Sequence, residues 1–165
     1  HWLFDLPAEQ IEVVIHPQSI IHSYVEFADG SVIAQMGQPD MTLPIAYALE
    51  YPHRPVRNTP PLNLAGLGEL TFLPCEGRFA RSIELAYKVI RQGGLSGAVL
   101  NGANEAAVHA FLTGKISFGQ IVPLVEEILN RTPEITEITL DALIQADLWA
   151  REQLDQRVGL EIMER

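Results

Sequence analysis

The sequence has a single cysteine, Cys75, among its 165 residues. That excludes an internal disulfide framework and fits a reducing compartment. No apolar run approaches the roughly 18 residues of a membrane span, and no signal-peptide pattern is present. Positive charge is scarce: eleven Lys and Arg stand against twenty-one Asp and Glu, for a formal net charge of −10. Such a balance argues against nucleic acid and against an anionic membrane surface as partners. It leaves a phosphorylated substrate open, because local residues decide that. There is no glycine-rich dinucleotide fingerprint, no nucleophile elbow, no Cys-x-x-Cys pair, no internal repeat and no low-complexity segment. The chain also lacks a starting methionine and opens on His-Trp-Leu-Phe, an apolar run with no cap before it. We expect this N-terminus to be a cut through a longer protein. What is present, 47% hydrophobic and 19% charged residues, reads as globular, with length for one ordinary domain or two small ones.

The stretch from Ile15 to Met41 organises the rest. Two alternating runs, Ser23–Ala28 and Ser31–Met36, meet at Asp29-Gly30. Asp-Gly between alternating strands predicts a hairpin with a two-residue type I′ turn. Pairing Ala28 with Ser31 then sets Phe27 opposite Val32, Val25 opposite Ala34 and Ser23 opposite Met36. Tyr24, Glu26, Ile33 and Gln35 fall on the other side, so the ribbon has one mostly apolar face. A polar approach, His16-Pro17-Gln18-Ser19 and His22, precedes it, and Gly37-Gln38-Pro39-Asp40-Met41 closes it. Both flanks are polar or Gly/Pro loops able to touch a ligand.

Along the chain, Trp2–Leu6 reads as the last turn of a helix stopped by Pro7. Ile11–Ile15 alternates as a buried strand, and Thr42–Tyr51 has helical spacing with Pro44 in its first turn. Residues 52–63 hold four prolines and predict an extended linker, with Arg54, Arg57 and His53 as a basic patch. Leu70–Leu73 is a short strand candidate. The remainder is helical: Ser82–Gln92 stopped by Gly93-Gly94, then Asn101–Leu112 with Asn101 or Asn104 as N-cap. A capping box at Ser117–Gln120 follows, leading into a helix that either kinks at Pro123 or starts near it. The last helix is Leu140–Val158, capped by Thr139, with Leu140, Leu143, Ile144 and Leu154 inward and residues 159–165 frayed. Short connections predict an antiparallel bundle.

The residues able to do chemistry are few. His16 and His22 are six apart, which is no helical metal-ligand spacing, and no carboxylate stands beside them in a recognisable pattern. One imidazole bonding backbone at the strand-to-loop corner and a pocket role are both open. Gln18, Ser19 and Ser23 can donate to phosphate or hydroxyl oxygens, with loop capping the favoured reading for Gln18. Asp40 reads as an N-cap for the next helix rather than a metal ligand. Met41 is filler or pocket wall. Asn101-Gly102-Ala103-Asn104-Glu105 lacks the strand and spacing of a phosphate loop and reads as a helix start or a helix–helix contact. Arg54 and Arg57 read as a solvated linker or an ion pair before an anion site. No complete active site is visible.

A set of motifs goes further. Val14-Ile15-His16-Pro17-Gln18-Ser19-Ile20-Ile21-His22-Ser23, Asp29-Gly30-Ser31, Gln35-Met36-Gly37-Gln38-Pro39-Asp40-Met41 and Pro44-Ile45-Ala46 resemble the 1-deoxy-D-xylulose 5-phosphate reductoisomerase family. So do Leu100–Ala107, Ala110–Leu112 and Asp147–Glu152. The likeness runs from Trp2 to about Val158. It implies conversion of deoxyxylulose phosphate to methylerythritol phosphate with NADPH and Mg2+ or Mn2+, in non-mevalonate isoprenoid synthesis. It implies a homodimer, in the bacterial cytoplasm or plastid stroma. This chain would be roughly the last two-fifths of the subunit. The NADPH domain, the metal-binding carboxylates and the phosphate-binding segment would lie upstream, with no cofactor or metal bound by this fragment. His22 and Ser19 match residues at the substrate pocket. Pro39 and Met41 match loop residues near the ligand or the nicotinamide.

The expected fold is therefore α+β: a β-hairpin with helices joined by a Pro-rich linker to a helical bundle. The expected boundaries are 1–51 for the end of the catalytic and dimerisation domain, 52–79 for the linker and 80–165 for the helical domain. The fragment is expected to be inactive alone, with a non-catalytic dimerisation or scaffold module as the alternative.

Overall fold

The computed structural model describes residues 1–54, 60–135 and 137–163. Arg57, read above as part of a basic patch, lies outside them, as does most of the proline-rich run beyond Arg54. The chain folds as two compact units, one formed by Val13–Cys75 and the other by His1–Glu12 with Glu76–Arg165. This α+β arrangement has two small antiparallel sheets and six α-helices among the described residues.

In the first unit, β1 (Val14–Ile15) pairs antiparallel with β4 (Leu73–Pro74). β2 (Ile21–Glu26) and β3 (Val32–Met36) form the hairpin, α1 spans Thr42–Glu50 and α2 spans Leu64–Leu67. The region after Asn63 is thus folded into this unit. Asn63 caps α2 by accepting from the Gly66 N–H at 3.1 Å, and Leu73 and Pro74 supply a strand. The expected strand over Ile11–Ile15 is confined to Val14–Ile15. Residues Ala8–Gln10 take a 3-10 turn instead, and the Ile11 carbonyl accepts from the Tyr87 hydroxyl at 2.5 Å. Trp2–Leu6 forms no helix, only turns over Trp2–Asp5.

The hairpin forms, but one residue out of the expected register. Glu26 faces Val32, Val25 faces Ile33, Tyr24 faces Ala34 and Ser23 faces Gln35. The cause is the turn. The Phe27 N–H bonds the Ser31 carbonyl at 2.9 Å and the Gly30 N–H bonds the Phe27 carbonyl at 2.8 Å. That closes a three-residue loop, Ala28-Asp29-Gly30, of the type I plus left-handed-residue kind. Gly30 takes the positive φ, +80°, while Asp29 does not, which rules out the two-residue I′ turn. The Asp29 carboxylate accepts from both the N–H and the hydroxyl of Ser31, fixing the loop. These bonds hold the Asp29 carboxyl below its ordinary pKa. Val25 and Ile33 consequently share a face and are 58% and 66% exposed, so the expected core face is open.

In the second unit, α3 (Arg78–Gln92), α4 (Ser96–Leu112), α5 (Ile121–Leu129) and α6 (Leu140–Met163) pack as a bundle. Gly93 stops α3 at φ +63°, its N–H on the Val89 carbonyl, as its position after the apolar stripe predicts. α4 starts five residues before the expected cap. Asn101 and Asn104 therefore sit inside it, and the helix–helix contact is the correct reading of that segment. A Cβ on Gly102 would stand 2.6 Å from the Asp147 carbonyl oxygen, so only glycine lets α4 and α6 approach this closely. The Ser117–Gln120 capping box forms and Pro123 falls in the first turn of α5, where it is tolerated. On α6 the buried stripe is Ala146, Ala150, Leu154 and Val158. Leu140 and Ile144, expected inward, are exposed, and the helix continues past Val158 to Met163. Small residues on α4 (Ala103, Ala106, Ala107, Ala110) meet Leu124, Val125, Ile128 and Leu129 of α5 in the core. Each buried Leu or Ile there contributes about 1.5–3 kcal/mol. No described helix is long and apolar enough to cross a membrane.

Candidate functional site

A hairpin puts its open ends together. Ile21 faces Met36 and the Gly37 N–H bonds the Ile20 carbonyl at 2.9 Å. The polar loop before β2 and the Gly-Gln-Pro-Asp-Met loop after β3 are therefore neighbours. Between them and α1 lies a cleft of about 840 Å³ lined by Ser19, His22, Gln35, Met36, Gly37, Gln38, Pro39, Asp40, Met41, Leu43, Pro44, Ala46, Tyr47 and Arg54. All four sequence-predicted residues, Ser19, His22, Pro39 and Met41, stand on it.

Local backbone features aim these groups. The register shifts between Ile21 and Ser23, so His22 is the extra residue of a β-bulge. Bulges re-aim side chains and recur beside functional sites. Ser19 holds φ +52°, a left-handed conformation uncommon for serine, and its N–H bonds the His16 carbonyl at 3.1 Å.

Asp40 behaves as a cap. Its Oδ1 accepts from the Thr42 N–H at 2.9 Å and from the Thr42 hydroxyl at 2.5 Å, with the hydroxyl contributing most to holding the carboxyl below its ordinary pKa. Met41 lines the cleft and is 70% exposed.

The two histidines take separate roles. His16 is outside the cleft. Its Nδ1 is 2.8 Å from the Thr71 carbonyl and its ring stacks on Phe72 with centroids 4.7 Å apart. The corner reading holds for His16, while His22 faces the cleft. Gln18 also points away, its Nε2 3.0 Å from the Thr71 hydroxyl and 3.4 Å from the Glu69 carbonyl.

Tyr47, not put forward from the sequence, and Arg54, read there as linker or ion pair before an anion site, complete the lining with Gln35 and Gln38. Tyr47 and Arg54 stand together on the lining, with the Arg54 guanidinium 4.1 Å from the Tyr47 ring centroid, a cation–π arrangement. Helical spacing from Leu43 to Ala46 and Tyr47 could have placed Tyr47. Nothing in the sequence brings Arg54 back onto it. Gln35 and Gln38 add amide donors and acceptors. Among the described residues no three His, Cys, Asp or Glu side chains converge in a way that could hold a metal ion. The cleft can therefore hydrogen-bond, orient and attract an anion, but it carries no carboxylate cage.

Comparison with known proteins places this geometry. The family model of the DXP reductoisomerase C-terminal domain matches residues 36–153. The 1-deoxy-D-xylulose 5-phosphate reductoisomerase of Thermomicrobium roseum is 47% identical over 160 residues, covering 96% of this chain and 42% of the relative. That of Geobacter metallireducens is 48% identical over 159 residues, with 96% and 41% covered. Among solved structures, a DOX-P reductoisomerase in complex with NADPH, fosmidomycin and magnesium superposes with a TM-score of 0.86 at 38% identity, covering 96% of this chain and 41% of that one. The Zymomonas mobilis enzyme in complex with NADPH gives 0.84 at 40% identity, with 94% and 41% covered. The chain spans about two-fifths of the length of the curated relatives it matches. With this identity along nearly its whole length, the chain belongs to the DXP reductoisomerase family and corresponds to its C-terminal portion.

Proposed function

We propose that this chain is the C-terminal portion of an enzyme that converts 1-deoxy-D-xylulose 5-phosphate to 2-C-methyl-D-erythritol 4-phosphate with NADPH and Mg2+ or Mn2+. Its place is non-mevalonate isoprenoid synthesis, in the bacterial cytoplasm or plastid stroma. The observation that carries this reading is the convergence of Ser19, His22, Pro39 and Met41 on one cleft. The unit of residues 13–75 supplies the end of the catalytic domain, and the bundle supplies the C-terminal helical domain.

Ser19 and His22 donate hydrogen bonds that orient the sugar phosphate. His22 acts as an orienting group and is not required as a base. Pro39 and Met41 give the cleft an apolar wall against which the substrate or the nicotinamide packs. When bound, NADPH supplies the hydride. Among the described residues no three His, Cys, Asp or Glu side chains converge on a cation site; in this reading the metal ligands lie in the upstream part of the subunit, as the family likeness implies.

The test is turnover. The 165-residue chain alone should reduce no deoxyxylulose phosphate with NADPH, and the chain joined to the upstream part of a relative such as the Geobacter enzyme should do so. His22→Ala in the joined enzyme should lower kcat/KM by about a hundred-fold, the scale of a lost orienting contact. Turnover by the chain alone, or full activity of His22→Ala, overturns this division of labour.

A second reading, a non-catalytic dimerisation or scaffold module, draws on the open apolar ribbon of Val25, Phe27, Val32 and Ile33. A homodimer would seal it. Sedimentation of a strict monomer at high concentration counts against that reading.

A further inference from the structure

Ser19 and His22 sit on a loop whose shape needs an explanation. A serine at φ +52° is retained only where surrounding structure over-determines it. Within the loop itself the Ser19 N–H has the His16 carbonyl, which is one bond. The Gly37 N–H holds the next carbonyl, that of Ile20, and further restraint comes from far along the chain. Gln18 Oε1 accepts from the Thr71 N–H at 3.3 Å, and its Nε2 donates to the Thr71 hydroxyl at 3.0 Å and to the Glu69 carbonyl at 3.4 Å. His16 adds its bond to the Thr71 carbonyl and its stack on Phe72. The side-chain amide of Gln18 thus meets the 69–71 backbone as a neighbouring strand would, with a donor and an acceptor on one plane. A loop cap would bond a few residues away; these partners lie 51 and 53 residues on.

We propose that Gln18 and Thr71 form a brace that holds Ser19 and His22 at the cleft, making Gln18 a positioning residue. The proposal rests on the reading of the cleft as a substrate site. Chemistry explains the residue types. Methionine has the length of glutamine and neither hydrogen-bonding group. Valine has the shape of threonine without the hydroxyl, and serine keeps the hydroxyl. The brace is exposed to solvent, so its loss changes the geometry of the loop more than the stability of the fold.

Two measurements test it. In the 165-residue chain, Gln18→Met and Thr71→Val should shift the amide resonance of Ser19 and the ring resonances of His22, while Thr71→Ser leaves them in place. In the joined enzyme, Gln18→Met and Thr71→Val should lower kcat about ten-fold or more, the expected cost of orienting groups misplaced by a fraction of an ångström, with the melting temperature little changed and Thr71→Ser near the parent. Unmoved resonances in Gln18→Met overturn the brace. Moved resonances with unchanged kcat and KM overturn the positioning role. Equal losses in Thr71→Ser and Thr71→Val overturn the part given to the hydroxyl. The resonance arm needs no turnover, so an inactive parent enzyme would refute the function proposed above and leave the brace to be decided on the resonances.

Discussion

Ser19 concentrates two demands on one residue: a hydroxyl at the cleft and a left-handed backbone. Substitution separates them. Ser19→Gly keeps the backbone at no steric cost and removes the hydroxyl, so we expect unchanged or slightly raised thermal stability with weakened substrate binding in the joined enzyme. Ser19→Val forces a β-branched residue into the same φ and should cost about 1–3 kcal/mol in a denaturant titration. If Ser19→Gly is destabilised as much as Ser19→Val, the conformation is not what the residue was placed for. Ser19 and His22 were legible as residues, because a polar run at a strand end and the motif likeness both single them out. Their geometry was not. A positive φ at serine and a bulge at His22 have no local spelling; they arise from partners elsewhere in the chain. Arg54 shows the same limit. It was visible as a cation, and only the fold stacks it on Tyr47.

Among the secondary-structure elements, the informative failures are the hairpin and α4. Asp-Gly signals a turn, but both the two-residue and three-residue loops accept it. The choice between them is made by the Asp29–Ser31 bonds, and it moves every cross-strand pair by one. In α4, two asparagines that look like caps lie within the helix, which starts at Ser96 without a side-chain cap; the buried Ser96 hydroxyl instead donates to the Gly93 carbonyl at 2.6 Å, tying the start of α4 to the end of α3. Gly102 is the sensitive point of the α4–α6 contact. Gly102→Ala should destabilise by about 1–3 kcal/mol, as overpacking does, despite alanine's better helix propensity, and a calorimetric scan reads it directly.

The same contact carries a pH dependence. Asp147 accepts from Arg151 at 2.7 Å and from Asn101 at 3.4 Å. The Arg151 hydrogen bond is the main influence holding its carboxyl below the ordinary value, against partial burial that raises it. A carboxyl with a lowered folded pKa stabilises the fold above its unfolded value and loses that contribution as pH falls through the folded one. Asp147→Asn should therefore destabilise at neutral pH and converge with the parent as pH falls below the ordinary carboxylate range. The difference should be small, within about 1 kcal/mol, since the pair is partly solvated.

For the molecule as a whole, the apolar hairpin is the feature that composition hides. A mean content of 47% hydrophobic residues says nothing of where they are left uncovered. Val25→Lys with Ile33→Lys should leave bundle unfolding unchanged, since both residues are solvent-exposed. It should also abolish concentration-dependent association in sedimentation. Association that survives both charges would place the contact on another surface. The division into units was only partly legible. The shift from strand-forming to helical sequence could be read from periodicity. That the first twelve residues belong with the bundle could not, because the link is tertiary: the Tyr87 hydroxyl on the Ile11 carbonyl and Glu9 near Arg91.

That link has a topological meaning. Residues 13–75 enter and leave at one place, since Val14 is paired with Pro74 and Ile15 with Leu73. The cleft-bearing unit is thus an insert whose two ends meet, clipped by a two-residue ladder, within a host built from discontinuous segments. Such inserts are natural sites for circular permutation. Joining residue 75 to residue 13 through a short glycine linker would close the unit beside the β1–β4 pairing and free the chain to be reopened elsewhere.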